Sequence, residues 1–144
     1  MDASEDGLIV AVGAISANNA RVYQWNGVNW AQMGTTIPGE NGGDQFGGSV
    51  SLSNDGLTLA VGGTGNDSSG NERGHVRVYQ WDGADWDQLG LDIEGESGGD
   101  QSGWSVDLSR STGLKVAIGG IFNDGNGSNS GHVRIYEWDG LAWL

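Results

Sequence analysis

The 144-residue chain contains no cysteine, one proline, and six basic side chains against nineteen acidic ones. Without cysteine it has no disulfides, no thiolate nucleophile and no cysteine-ligated metal. That absence leaves the compartment open. The shortage of Lys and Arg sets the net charge at −13. A field of that sign repels phosphate backbones and anionic lipid, which argues against nucleic acid and membrane surface as partners. It suits cations, basic proteins or neutral sugars, and it also serves plain solubility. Met1 to Gly7 shows no basic region followed by an apolar core, so no leader is visible there. No stretch approaches the roughly 18 apolar residues of a membrane-spanning helix.

Glycine and tryptophan are abundant instead, at 28 and seven residues. Glycine at that level without a triplet period could mark a disordered linker. The tryptophans and the Val-Leu-Ile runs supply enough apolar surface to offset the entropy of ordering, so short strands joined by glycine-rich turns are expected.

Self-comparison fixes the architecture. Arg21-Val22-Tyr23-Gln24-Trp25 returns as Arg77-Val78-Tyr79-Gln80-Trp81 and as Arg134-Ile135-Tyr136-Glu137-Trp138. A second tryptophan follows each time, as Trp30, Trp86 and Trp143. Leu8 to Gly13 recurs at Leu57 to Gly62 and at Leu114 to Gly119. Ser49-Val50-Ser51-Leu52-Ser53 recurs as Ser105-Val106-Asp107-Leu108-Ser109. A full repeat therefore reads as four strands: Ser49 to Ser53; Leu57 to Gly62 after the Asn54-Asp55-Gly56 turn; His75 to Trp81 after a polar loop; and a short strand from Trp86 to Leu89. Asp92 to Gln101 links it to the next repeat.

Inner strands apolar on both faces describe sheets stacked between neighbours, as in β-propeller blades. The expected fold is all-β, a partial propeller of about two and three-quarter blades. Blade 1 spans 1–43 and lacks its first strand, blade 2 spans 44–99, and blade 3 spans 100–144 with its fourth strand cut short. A parallel β-helix is the rival, but its coils are usually shorter and lack paired hairpins. Propellers close with typically 4–8 blades, so the ring needs further blades from a longer chain or from other copies.

Phe46-Gly47-Gly48-Ser49-Val50-Ser51-Leu52, then Leu59-Ala60-Val61-Gly62-Gly63, then Gly74-His75-Val76-Arg77-Val78-Tyr79 together resemble the FG-GAP repeat of integrin-α-type propellers. The resemblance covers nearly the whole chain, with Ser102-Gly103 in place of Phe-Gly in the following repeat and no proline after Gly62-Gly63. The Trp pairs are also similar to those of kelch-type propellers. The resemblance implies a non-catalytic structural or protein-binding module of a secreted or cell-surface protein. Calcium held between the first and second strands is not carried over, because Asn54-Asp55-Gly56 is too short to wrap an ion that takes six to eight oxygens.

The remaining candidates come from the residues themselves. Asp124, Asn126 and Ser128 place oxygens at alternate positions of a glycine-rich loop, the spacing of a weak calcium site, although a plain glycine-asparagine surface loop is the favoured reading of the same residues. The stretch Asp67 to Glu72 has similar composition without the spacing. His75 and His132 occupy equivalent positions with no second ligand nearby in sequence, and read as strand-entry residues. Arg21, Arg77 and Arg134 are expected to pair with acids or to cover a tryptophan with their stems. The repeated tryptophans are read first as packing between blades, with stacking on sugars in a lectin-like propeller as the rival. Trp104 replaces Gly48 of the preceding repeat, so the framework does not require it, and it is the candidate ligand-binding aromatic. No serine has a credible histidine and carboxylate arrangement, so no enzyme activity and no cofactor beyond weak calcium are expected. The partner is expected to be a protein or a glycan.

Overall fold

The computed structural model describes residues 1–67 and 71–144, so part of the Asp67 to Glu72 stretch lies outside the described residues. Among these, twelve strands form three antiparallel sheets in chain order. Sheet 1 contains β1 (Asp2–Ala3), β2 (Ile9–Ala14), β3 (Asn19–Trp25) and β4 (Trp30–Pro38). Sheet 2 contains β5 (Phe46–Leu52), β6 (Thr58–Gly63), β7 (His75–Trp81), β8 (Trp86–Gln88) and β9 (Ile93–Glu94). Sheet 3 contains β10 (Ser102–Leu108), β11 (Lys115–Gly120) and β12 (His132–Glu137). The all-β expectation holds. The three sheets do not close a ring.

Two element boundaries differ from those read in the sequence. A first strand does begin sheet 1, because Asp2 and Ala3 pair with Ala11 and Val10. The signal was present in Ser4-Glu5-Asp6-Gly7, which stands where Ser53-Asn54-Asp55-Gly56 stands in sheet 2. In both turns the serine hydroxyl donates to the aspartate at 2.6 Å, and that carboxylate accepts the backbone N–H two residues on. The fourth strand of sheet 2 is also longer than expected. After a break at Gly90 it resumes as β9, whose Ile93 and Glu94 pair with Val76 and His75.

Each hairpin between third and fourth strands closes on one side-chain acceptor. Asn26, Asp82 and Asp139 each take two backbone N–H groups, from residues two and three positions on. Those bonds hold the Asp82 and Asp139 carboxyls below the usual carboxylate range. Across each hairpin the paired tryptophans meet as tilted rings, with centroids 5.7, 5.4 and 5.4 Å apart. The second tryptophan also reaches the preceding sheet. Trp86 donates its indole N–H to the Met33 carbonyl at 3.1 Å, and Trp143 donates to the Leu89 carbonyl at 2.7 Å.

The core consists of the two joints between sheets. Ile9, Ala11, Ala20, Val22 and Met33 of sheet 1 pack on Phe46, Leu52, Leu59, Val61 and Tyr79 of sheet 2. Ala60, Val76 and Val78, on the other face of sheet 2, pack on Leu108, Val116 and Ile118 of sheet 3. The stack is directional, each sheet offering one kind of face forward and another back. Two glycine contacts bring the sheets close at one end. A Cβ at Gly13 would overlap the Gly47 carbonyl, and one at Gly62 would overlap the Gly103 carbonyl.

Candidate functional site

Two places gather polar or aromatic groups that the hydrophobic joints alone do not explain. The first lies at the joint of sheets 1 and 2. The connection after β4 brings Glu40 and Asp44, β7 contributes His75 and Arg77, and Asp92 stands between β8 and β9. Arg77 donates from Nε and Nη2 to the two Asp92 oxygens at 2.9 and 2.8 Å, and also pairs with Glu40. Asn66 donates to Glu40 at 3.3 Å, and the guanidinium lies 6.0 Å from the centre of the Phe46 ring.

Electrostatics in this joint are decided by burial and by Arg77. Burial opposes the charge on Asp92, but the hydrogen bonds from Arg77 and Gln88 outweigh it and keep its carboxyl below the usual range. Burial likewise opposes the charge on Arg77, and Asp92 more than restores it, so its pKa is raised. His75 is fully buried; burial, then the Arg77 charge, push its pKa down, so the ring is neutral. Its nearest carboxylate oxygen, on Asp92, is 3.7 Å away, beyond hydrogen-bond range.

The joint of sheets 2 and 3 repeats this chemistry. Arg134 pairs with Glu96, His132 Nδ1 lies 3.5 Å from the same carboxylate, and Asn123 donates to Asp100 at 2.9 Å and to Glu96 at 3.3 Å. Both histidines therefore have acidic neighbours, which the sequence reading missed because those neighbours come from the connections between sheets. In each of the sets Glu40–His75–Asp92 and Glu96–Asp100–His132, the possible ligand atoms lie within 4.8 Å of one another. The first set already holds a cation, since the Arg77 guanidinium bonds both of its carboxylates. These are joints, and their charges are used internally. The arginine pairing expected from sequence is present at Arg77 and Arg134, whereas Arg21 donates to Thr36 at 3.2 Å.

The second place is the cleft beside Trp104. This residue sits on β10 at the position Gly48 takes on β5, with 55% of its surface exposed. With Ile15, Gln45, Gly48 and Thr64 it lines a cleft of about 110 Å³. Gln45 and Gln101, at equivalent positions, adopt left-handed φ of 56° and 51°, which sharpens the entry into β5 and β10. The Thr64 hydroxyl donates to Gln45 Oε1 at 3.0 Å, which fixes the Gln45 amide at the edge of the cleft.

The structure does not bring Asp124, Asn126 and Ser128 to Trp104 or to either joint. All three are exposed on the loop between β11 and β12. Asp124 Oδ1 accepts the Asn129 N–H at 2.7 Å, and the Asp124 carbonyl accepts the Gly127 N–H at 3.1 Å. The residue that turns inward from this loop is Asn123, which is bound to Asp100.

This architecture is that of stacked antiparallel sheets of three to five strands. Residues 30–79 match the family model of the FG-GAP repeat, from β4 of sheet 1 into β7 of sheet 2, and include Glu40, His75 and Arg77 of the first polar joint but not Asp92. Among solved structures, 99% of the chain superposes at a TM-score of 0.64 and 10% identity on a crystal structure from Bacteroides uniformis named as a 6-phosphogluconolactonase. The chain spans 36% of that structure's length. At this identity the likeness shows the fold alone. No curated protein matches the sequence. Among the described residues no helix is long and apolar enough to cross a membrane.

Proposed function

We propose that the chain is a non-catalytic interaction module of the β-propeller type, part of a secreted or cell-surface protein, that binds a protein partner. Its sheets are the blades read from the sequence, at 1–43, 44–99 and 100–144, and further blades complete the ring. The FG-GAP repeat and the directional stacking of the sheets support this reading. The observation that carries it is Trp104, a large aromatic side chain held out over a polar-edged cleft at a position where the repeat has glycine. The arginines and carboxylates at the joints pair with one another, so their charges are engaged within the fold. The lactonase name of the structural neighbour is not transferred, because only the fold is shared.

A carbohydrate ligand is the second reading, favoured by the same exposed indole beside the Gln45 amide, since a ring face stacks on a sugar while amides read its hydroxyls. A glycan array probed with the protein and with Trp104→Ala separates the two. Signal that disappears in the variant, with its thermal unfolding unchanged, establishes the glycan ligand. An array silent for both leaves the protein partner, while signal that survives Trp104→Ala moves the site away from the cleft.

We also propose that calcium binds the Asp124–Asn126–Ser128 loop only weakly. One carboxylate among neutral oxygens offsets little of the dehydration of the ion, and one Asp124 oxygen already serves the Asn129 N–H. Affinity at the roughly 10⁻⁴ to 10⁻³ M end known for extracellular modules is expected. Replacing submillimolar calcium with EDTA should move the unfolding temperature by no more than about 1 °C, since stabilisation scales with occupancy. Asp124→Ala should remove whatever shift is seen. A rise of many degrees with calcium would show that further acids complete the site.

A further inference from the structure

The sequence holds two Asn-X-Ser strings without proline in the middle position, Asn66-Asp67-Ser68 and Asn126-Gly127-Ser128. Such a string accepts an N-linked sugar when it stands on the surface of a secreted protein. The fold separates the two. Asn66 is fully buried and donates from Nδ2 to Glu40 at 3.3 Å within the first polar joint. Its repeat equivalent is Asn123, also buried, which donates from Nδ2 to Glu96 and Asp100 within the second. The asparagine at this position thus serves the joint in both sheets. A sugar on Asn66 Nδ2 would have to enter that joint, so a chain modified there could not form it.

Asn126 has the opposite surroundings. It lies on the loop between β11 and β12, where residues 124–130 are all exposed. Bonds among its neighbours close the base of this loop. Asp124 Oδ1 accepts the Asn129 N–H, and the Asn123 carbonyl accepts the Ser130 hydroxyl at 3.2 Å and the Gly131 N–H at 3.1 Å. Neither the Asn126 amide nor the Ser128 hydroxyl takes part in a hydrogen bond among the described residues. Gly127, between them, has φ of 133° and open space where a Cβ would stand, so nothing crowds the tip.

We propose that Asn126 is a site of N-linked glycosylation. The proposal rests on the reading of the protein as secreted or displayed at a cell surface. The co-reactant is an oligosaccharide carried on a lipid diphosphate and delivered by a transferase. Asn126 Nδ2 bonds to the anomeric carbon of the sugar, the bond from that carbon to the lipid diphosphate breaks, and one amide proton is released. The new bond takes Nδ2 and leaves Oδ1, the atom that a weakly held calcium ion would use. The tip is not among the residues lining the cleft of Trp104, so the sugar leaves that cleft open.

The test routes the whole chain, behind a cleavable secretory leader, through cultured eukaryotic cells. Chain recovered from cells and medium together should run as a slower band that peptide N-glycosidase returns to the 15.0 kDa position, and peptide mapping should place the sugar on Asn126. Asn126→Gln and Ser128→Ala should each abolish the slower band, whereas Ser128→Thr keeps the acceptor string and should retain it. Both positions are exposed, so the variants should fold as the parent does. An unmodified Asn126 in the recovered parent overturns the proposal, whatever the state of Asn66. So does a band unchanged by Asn126→Gln, which would place the sugar elsewhere. Either failure leaves the Trp104 reading standing, because the leader supplies the secretory route; a Trp104→Ala variant that binds as the parent does would sink that reading without moving the band.

Discussion

Gly62→Ala should separate the second and third sheets, with a loss of about 3 kcal/mol or more, at the upper end of what overpacking a joint costs. The added methyl would overlap the Gly103 carbonyl oxygen and approach its carbon to 3.0 Å, and these are backbone atoms of a neighbouring strand that no rotamer change can move. Gly103 is itself constrained, with φ of 90° and no room for a Cβ, which would overlap the His75 carbonyl oxygen. Relief therefore requires the sheets to part, which opens the contacts of Ala60, Val76 and Val78 with Leu108, Val116 and Ile118. For a chain of this size a kcal/mol corresponds to roughly 2–4 °C, so the unfolding temperature should fall by about 10 °C. Gly119→Ala is the control. Its methyl meets only the Ser105 hydroxyl, a side chain free to rotate, and the smaller backbone entropy of unfolded alanine offsets part of any crowding, so a change within about 1 kcal/mol is expected. Equal losses at the two positions would mean that glycine serves the strand itself and not the approach of sheets.

That contrast also shows what the sequence could disclose. The glycines, tryptophans and Arg-Val-Tyr strings announce the repeat because each is demanded at every joint by the same local geometry, so self-comparison finds them without any knowledge of neighbours. The polar joint was only half legible. Arg77 and Arg134 stood out by repetition, but Glu40 and Glu96 come from the exposed connections between sheets, and Asp92 takes the place that Thr36 has in sheet 1. Linear distance hid them: Glu40 and Arg77 belong to different sheets in the stack, and no local period connects them. His75 does stand at the entry of β7, as its sequence position suggests, but its neighbours were hidden for the same reason: the fold packs it against Phe46 at 5.8 Å and close to Asp92. The start of β1 was missed because the eye follows the Val-Leu pattern of the first strand, and only its last two residues, Asp2 and Ala3, are there to pair. Trp104, by contrast, was found because it breaks the repeat, and a residue that departs from a packed framework without being buried is visible as an exception.

Arg77→Met should cost about 2–3 kcal/mol, through the carboxylates that it leaves behind. Breaking a buried ion pair from one side typically costs roughly 3–5 kcal/mol because the surviving charge keeps its desolvation penalty. Asp92 bears most of that penalty here, being mostly buried and doubly bonded to the guanidinium, whereas Glu40 is more than a third exposed and recovers much of its solvation from water, which lowers the total. The unfolding temperature should drop by roughly 5–10 °C at neutral pH. The sign of the pH dependence follows from Asp92. Arg77 holds its carboxyl below the unfolded value, so its stabilisation is present above the usual Asp range and fades as pH falls through the depressed value. In Arg77→Met that depression is removed and burial acts unopposed by the guanidinium, so the deficit against the parent should shrink as the medium becomes acidic. Pairing the change with Asp92→Leu removes the stranded charge and fills the space with apolar atoms, and the double variant should regain most of the loss. Recovery in the double variant identifies Arg77–Asp92 as an ion pair within sheet 2 whose loss costs stability mainly through the charge left behind. If the double variant is as unstable as the sum of the two single changes, Arg77 and Asp92 act independently, and the guanidinium contributes chiefly by covering Phe46.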